Sequence, residues 1–343
     1  MKKALLAILA IAACSVAANA NVYGDVNGDG DVTVVDVTAV YNYLLNSDET
    51  FLATSDIDGD GYITVADITI IYNIILGAVS PEEPPAPVTE FTVNGVTFKM
   101  IEVEGGTFMM GIDQYVGNAY PSHEVTLSTY WIGETEVTQE LWIAVMGTNP
   151  SYFNEYGNAD VHSNHANYDA GINLQRPVDY INISDCQAFC AALSQLTGKT
   201  FRIPTEAEWE FAARGGNLSH GYEYAGSDNF SDVAWCKETI PSTELWTEGW
   251  GPQSVATKAP NELGIYDMSG NDEEWCMDWF ATYSQDGIPQ TNPTGPETGT
   301  YRVVRGGRFN STTAISCRVF MRYYNNPDAR GNSRTLRLAM SAE

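Results

Sequence analysis

The chain has 343 residues, 44% of them hydrophobic, and carries 44 acidic against 17 basic side chains for a net charge of -27. That length and apolar share suffice for at least one domain with its own core. So acidic a balance excludes nucleic acid and anionic membrane surfaces as partners.

Lys2 and Lys3 precede an apolar run over residues 4–13, and Ala18-Asn19-Ala20 forms a small-residue cleavage site. This predicts a signal peptide over residues 1–20, cleaved after Ala20, which is too short for a membrane span. Ile11-Ala12-Ala13-Cys14 offers an alternative, a lipoprotein anchored at Cys14. Either reading places the protein outside the cytoplasm, as secreted, periplasmic or cell-surface material. No later segment is apolar enough to span a bilayer. Cys186, Cys190, Cys236, Cys276 and Cys317 remain after cleavage, and an odd number in an oxidising compartment leaves one thiol unpaired within the chain.

A segment then occurs twice. Asp25, Asn27, Asp29, Asp31, Thr33 and Asp36 return as Asp56, Asp58, Asp60, Tyr62, Thr64 and Asp67, with Gly30 and Gly61 at matching places. Side-chain oxygens at loop positions 1, 3, 5, 9 and 12, a carbonyl at 7 and glycine at 6 are what a calcium loop requires. Two copies in register predict two calcium ions. Residues 21–80 hold ten Asp or Glu and no Lys or Arg, so cations are needed for them to fold compactly. Each loop runs into an amphipathic helix: Val37, Val40, Tyr41, Leu44 and Leu45 share one face of the first, and Ile68, Ile71, Tyr72, Ile75 and Leu76 repeat that face in the second. Neither half buries its stripe alone, so the two pack together.

This pair of EF-hand-like loops, lacking entering helices, resembles a type I dockerin over residues 22–78. The resemblance implies a small all-α calcium module over residues 21–79 that docks onto a cohesin-like partner. It also implies Ser/Thr at loop positions 10 and 11 for reading that partner, where this chain has Val34-Val35 and Val65-Ala66. The run Ser80-Pro-Glu-Glu-Pro-Pro-Ala-Pro-Val88 predicts an extended spacer over residues 80–90.

From Phe91 onward the pattern predicts an α+β domain rich in irregular loops. Thr138 caps a helix running to Met146, Ser184 caps one ended by Gly198, and the capping box Thr205-Glu-Ala-Glu208 opens a third, stopped by Gly215-Gly216. Residues 125–132, 178–183 and 301–304 read as strands. No nucleophile elbow, phosphate loop or His-Glu-x-x-His is present. His162-Ser-Asn-His165 lacks a third metal ligand, which favours a polar surface loop. The oxygen-rich stretch over residues 261–275 suits a hard cation and, equally, a solvated turn.

Several motifs occur in the order of one family: Gly105-Gly-Thr-Phe-Met-Met-Gly111, Arg202-Ile-Pro-Thr-Glu-Ala-Glu-Trp-Glu-Phe-Ala-Ala-Arg-Gly-Gly216, Gly264-Ile-Tyr-Asp-Met-Ser-Gly-Asn271 and Arg302-Val-Val-Arg-Gly-Gly307. They resemble formylglycine-generating enzymes, also called sulfatase-modifying factors, over residues 91–343. The resemblance implies a C-type-lectin-like fold. It implies a calcium site using the Asp267 and Glu274 side chains and the Gly270 and Asp272 carbonyls. It also implies two cysteines after Arg-Gly-Gly-Ser-Trp that hold copper(I) and oxidise a substrate cysteine. Here Ser311 and Ala314 fall at the two thiol positions, Cys317 fits neither count, and Arg308-Phe309 replaces Ser-Trp. The usual Asn-Val-Trp-Glu-Trp reads Asn271-Asp-Glu-Glu-Trp275. A Cys276–Cys317 disulfide is expected, with Cys190 a free thiol.

Eight arginines, Arg302, Arg305, Arg308, Arg318, Arg322, Arg330, Arg334 and Arg337, crowd the last 42 residues. Most are expected to pair internally with acidic helices. Arg308, with Phe309 and Ser311, is the candidate ligand site for a peptide or an anionic glycan. The leading expectation is therefore a secreted calcium-binding protein whose large domain is catalytically degenerate. The alternatives are an active oxidoreductase using Cys317 and copper(I), and a component of polysaccharide degradation.

Overall fold

The computed structural model describes residues 26, 32–46, 68, 71, 86–114, 117–153, 173–242 and 250–342. The chain divides into one unit ending at Pro85 and a second beginning at Ala86.

In the first unit, helix α1 (Val34–Asn46) starts at loop position 10. Asp36, at position 12, is fully buried. One of its oxygens accepts the Val26 N–H at 2.9 Å and the other the Thr33 N–H at 2.8 Å. The carboxylate thus draws both ends of the loop together. Val26, Val37, Val40 and Ile71 form one buried cluster, so apolar side chains of both repeats share a core. Tyr41, expected on that face, is instead exposed, as are Val34 and Val35. Asp25, Asn27, Asp29, Asp31, Asp56, Asp58, Asp60, Tyr62, Thr64 and Asp67 lie outside the described residues, as do His162 and His165.

The second unit mixes short strands and helices. Strand β1 (Val88–Val93) already pairs with β2 (Val96–Val103), so the end of the expected spacer is ordered sheet. Next come β3 (Gly106–Met110), β4 (His123–Leu127) and β5 (Tyr130–Gly133). Residues 125–132, read as one strand, are thus two. At the break the Thr129 hydroxyl accepts the Gly105 N–H at 3.0 Å, and the halves enter different sheets.

Helix α2 (Gln139–Met146) is capped by Thr138, whose hydroxyl accepts the Leu141 N–H at 3.1 Å, and stops at Gly147 in the left-handed region. Helix α3 (Ile183–Thr197) is capped by Asn182, not Ser184, in a reciprocal box with Asp185. Residues 178–183 form no strand, because Ile183 already belongs to this helix. Helix α4 (Glu206–Ala213) has the expected Thr205–Glu208 box, and α5 (Phe230–Val233) is a single turn.

Strands β6 (Glu273–Trp279), β7 (Gln290–Thr291), β8 (Arg302–Arg305), β9 (Tyr323–Asn325), β10 (Arg334–Thr335) and β11 (Ala339–Ser341) complete the described unit. The sheets run β1-β2-β5-β11, β10-β6-β8-β9 and β3-β4-β7. Strand β6 separates two cores. Trp275 points into the one built on Trp142, Phe189 and Leu193, and Cys276 into the one built on Trp209, Phe211 and Val303. That alternation settles the expected disulfide. Cys276 and Cys317 are both free thiols, and Cys317 packs in a third cluster with Cys236.

Candidate functional site

Helix α4 is buried throughout and carries Glu206, Glu208 and Glu210. Carboxylates so placed need cations or protons, and the C-terminal arginines supply the cations. Arg322 grips Glu206 through two 2.6 Å bonds. Arg305 bonds Glu210 and lies 3.4 Å from Glu206. Burial alone would raise Glu210, but Arg214 and Arg305 hold it below the usual carboxylate range. Arg334 binds Glu273 at 2.5 Å, Arg330 binds Asp185 at 2.5 Å and Arg318 binds Glu223 at 2.8 Å. Arg302 lies 3.6 Å over the Trp279 ring. Arg308 differs. Its side chain is 45% exposed, and its nearest carboxylate oxygen, on Glu273, is 4.0 Å away.

Glu274 faces Arg337. Its two oxygens receive Arg337 Nε and Nη2 and the Trp209 indole N–H at 2.7–3.0 Å. Those bonds fill the carboxylate's lone pairs. Asp267, at φ +59°, accepts the Ala256 N–H at 2.7 Å. Among the described residues no three His, Cys, Asp or Glu side chains gather to hold a metal. Of the expected set of Asp267, Gly270, Asp272 and Glu274, the Glu274 side chain is thus committed to Arg337 and Trp209. Asp272 is fully buried, and neither side-chain oxygen has a hydrogen-bond partner. Burial and then the nearby Asp179 raise its carboxyl well above the ordinary range.

The segment after β8 turns at Gly306 and Gly307, both at positive φ. A Cβ on Gly307 would sit 2.7 Å from Cys317 Sγ, so only glycine lets the chain pass there. Beyond the turn, the Ser311 hydroxyl accepts the Arg308 N–H at 3.2 Å and eases ionisation of the nearby Cys317 thiol. Cys317 is fully buried, and burial, with Cys236 beside it, pushes its thiol up to about 12. Ala314 lies in the same cluster. Phe309, expected to touch ligand, is also fully buried, edge-on to Phe153 and Trp250. What opens above this floor is a pocket of about 330 Å³ walled by Arg308, Ser311, Thr312, Ser316, Tyr323 and Glu273. A larger cavity of about 770 Å³, mostly apolar, lies between α3 and the β4–β5 break and holds none of the expected site residues.

Residues 87–342 match the sulfatase-modifying factor enzyme 1-like domain and residues 23–76 the dockerin type I domain. The chain belongs to the sulfatase-modifying factor family. It is 33% identical to the chaperone protein LppX of Paenibacillus barcinonensis, across 63% of this chain and 80% of that protein. It is 29% identical to a formylglycine-generating enzyme of Streptomyces coelicolor, across 71% and 89%. It also spans 38% of the serine/threonine-protein kinase pkn1 of Chlamydia pneumoniae, at 29% identity. Among solved structures, Treponema denticola variable protein 1 superimposes with a TM-score of 0.62 at 31% identity, covering 74% of this chain and 99% of that one.

Within the sulfatase-modifying factor fold, the two thiol positions become legible in space. The fold gathers Ala314 and Cys317 into one buried cluster beside the Ser311 turn, with Ser311 influencing the Cys317 thiol. One thiol thus lies near one hydroxyl where two thiols are expected. A hydroxyl is a hard donor and copper(I) a soft acceptor, and the remaining thiol is sealed in its protonated form. The residues present do not fit copper(I). Thr312, Ser316 and Tyr323 escaped the sequence reading. Tyr323 reaches the pocket because β9 pairs with β8, Val304 opposite Tyr323, a register that no local motif announces.

Proposed function

We propose that this is a secreted docking protein whose sulfatase-modifying factor domain no longer generates formylglycine and instead binds an anionic group of a peptide or glycan at Arg308. The observation that carries this reading is that Ser311 and Ala314 stand where two thiols are expected, while the nearby Cys317 is fully buried. Support for the ligand class comes from charge. The other C-terminal arginines are committed to carboxylates, carbonyls or a ring, whereas Arg308 stands 45% exposed on a pocket lined by hydroxyls. A guanidinium flanked by hydroxyls suits sulfate or carboxylate oxygens.

Dockerin type I domains bind calcium and occur in extracellular proteins, and no described helix is long and apolar enough to cross a membrane. In this reading the two loops take two calcium ions, and the signal peptide is cleaved after Ala20. Val34 and Val35, 39% and 55% exposed, favour a cohesin-type partner with an apolar contact face.

The test incubates the protein with copper(I), oxygen and a Cys-x-Pro-x-Arg peptide and looks for aldehyde by mass spectrometry. No turnover is expected, together with retention on heparin that Arg308→Ala abolishes. Turnover lost in Cys317→Ser would overturn the proposal in favour of an active oxidoreductase.

A further inference from the structure

A third cavity, of about 350 Å³, shares no lining residue with the Arg308 pocket. Tyr283, Asp278, His123, Glu206 and Arg322 help to wall it. The Tyr283 hydroxyl is buried and has no hydrogen-bond partner. Such a group is destabilising unless something supplies the missing partner. Asp278 accepts the Glu206 N–H at 2.8 Å through Oδ2. Burial, and then Glu206, raise this carboxyl to about 7, so near neutrality it can both donate and accept. The cation in the wall, Arg322, is held by Glu206 through two 2.6 Å bonds, which leaves no positive charge for an anion. The pocket therefore offers mixed donors and acceptors without net charge selection.

An unbroken run of planar groups leads away from it. His123 and Tyr283 have ring centroids 4.4 Å apart. Arg322 lies 3.7 Å over Tyr283 and 5.0 Å from the Phe280 ring. Phe280 is 4.4 Å from Tyr324, which is 5.1 Å from Tyr301. Tyr301 and Tyr324 end the run at the surface, 43% and 45% exposed. Contiguous exposed rings mark a binding surface. Sugar rings present C–H faces that pack on aromatic rings and hydroxyls that both donate and accept, matching both halves of this arrangement. The wall's arginine is already held by Glu206, which disfavours a polyanion at this site.

We infer that the Tyr283 pocket and the Tyr301–Tyr324 pair bind a neutral polysaccharide, one sugar unit entering against the Tyr283 hydroxyl and the chain lying across the exposed tyrosines. This site goes beyond the Arg308 reading and stands or falls separately, because heparin probes Arg308 and uncharged chains probe the tyrosines.

The test is native gel electrophoresis of the full chain in gels containing barley β-glucan, galactomannan, xyloglucan or xylan. At least one of these is expected to retard the protein. The double variant Tyr301→Ala/Tyr324→Ala, which alters only exposed side chains, is expected to weaken binding about tenfold or more. Tyr283→Phe keeps the ring and removes the hydroxyl, and is expected to weaken binding about fivefold. Near-ultraviolet circular dichroism should be unchanged in both. The inference is overturned if no gel retards the protein, if the double variant or Tyr283→Phe binds like the parent, or if dextran sulfate displaces the polysaccharide.

Discussion

Replacing Asp278 by Asn isolates the electrostatic cost of a buried acid. The Asp278 carboxyl is buried at the end of β6, where desolvation first, then Glu206 and Glu208, oppose its ionisation, while the Glu206 N–H and Arg322 favour it. Its pKa rises from an ordinary 3.8 to about 7. For an acid raised on folding, the native state holds the proton longer than the unfolded chain. The stabilising effect is complete below 3.8 and is lost as pH rises to 7. Each pH unit in that window removes about 1.4 kcal/mol, so about 2–3 kcal/mol disappears between pH 5 and pH 7. Asn keeps the oxygen that accepts from Glu206 and cannot ionise. Urea unfolding of parent and Asp278→Asn at pH 5 and pH 8 should therefore show the variant gaining about 2–3 kcal/mol on the parent at the higher pH. Asp179, also raised to about 7, adds its own slope to both proteins and cancels in the comparison. Equal differences at the two pH values would show that Asp278 does not carry a raised pKa, and the electrostatic account of that cavity would fall with it.

Three further outcomes follow from the same structure. Ser311→Cys sets a second thiol against Cys317, and competition with bicinchoninate should reveal copper(I) uptake that the parent lacks; identical titrations would mean the two positions do not face each other. Asp272→Val removes a buried carboxyl with no hydrogen-bond partner and should raise the free energy of unfolding by about 2 kcal/mol, whereas a loss of stability would point to an undetected partner. Calorimetry of the chelator-treated full chain should count two calcium ions, with Asp25→Ala and Asp56→Ala each eliminating one; unchanged uptake in either variant would refute that loop assignment.

Local signals were legible where the physics is local. Thr138 and the Thr205–Glu208 box cap their helices as the side-chain spacing requires. Ser184 failed because Asn182 and Asp185 make a better reciprocal pair two residues earlier, and a hydroxyl inside the first turn has no orphan amide to serve. Residues 125–132 looked like one strand because apolar alternation does not reveal a change of sheet. The site was half legible. Arg308 stood out by charge, and its exposure follows from the other arginines finding partners far away in sequence. Phe309 was misread because aromatic character near a site says nothing about which side of the chain faces the pocket. Counting from neighbouring motifs placed Ala314 and left Cys317 aside, since a count cannot show that a short turn of 3-10 helix over Ala314–Cys317 gathers both into one cluster.

The pattern of retained and altered residues separates scaffold from site. Arg305, Arg322 and Arg337 each hold a carboxylate that is at most 5% exposed, and losing Arg337 would leave Glu274 a buried charge with no cation, at a cost of about 3–5 kcal/mol. Those pairs can change only together. Ser311 and Cys317 carry no such constraint, since a hydroxyl and a buried protonated thiol satisfy each other without copper. In the proposed reading, the family fold persists while its two-thiol centre is reduced to one thiol, and Arg308 beside it takes up ligand binding. The same reasoning accounts for Asp272 and Glu273. Glu273 entered an apolar pair and found Arg334. The Asp272 carboxyl has no hydrogen-bond partner, which is why its replacement by valine is the substitution expected to stabilise the protein.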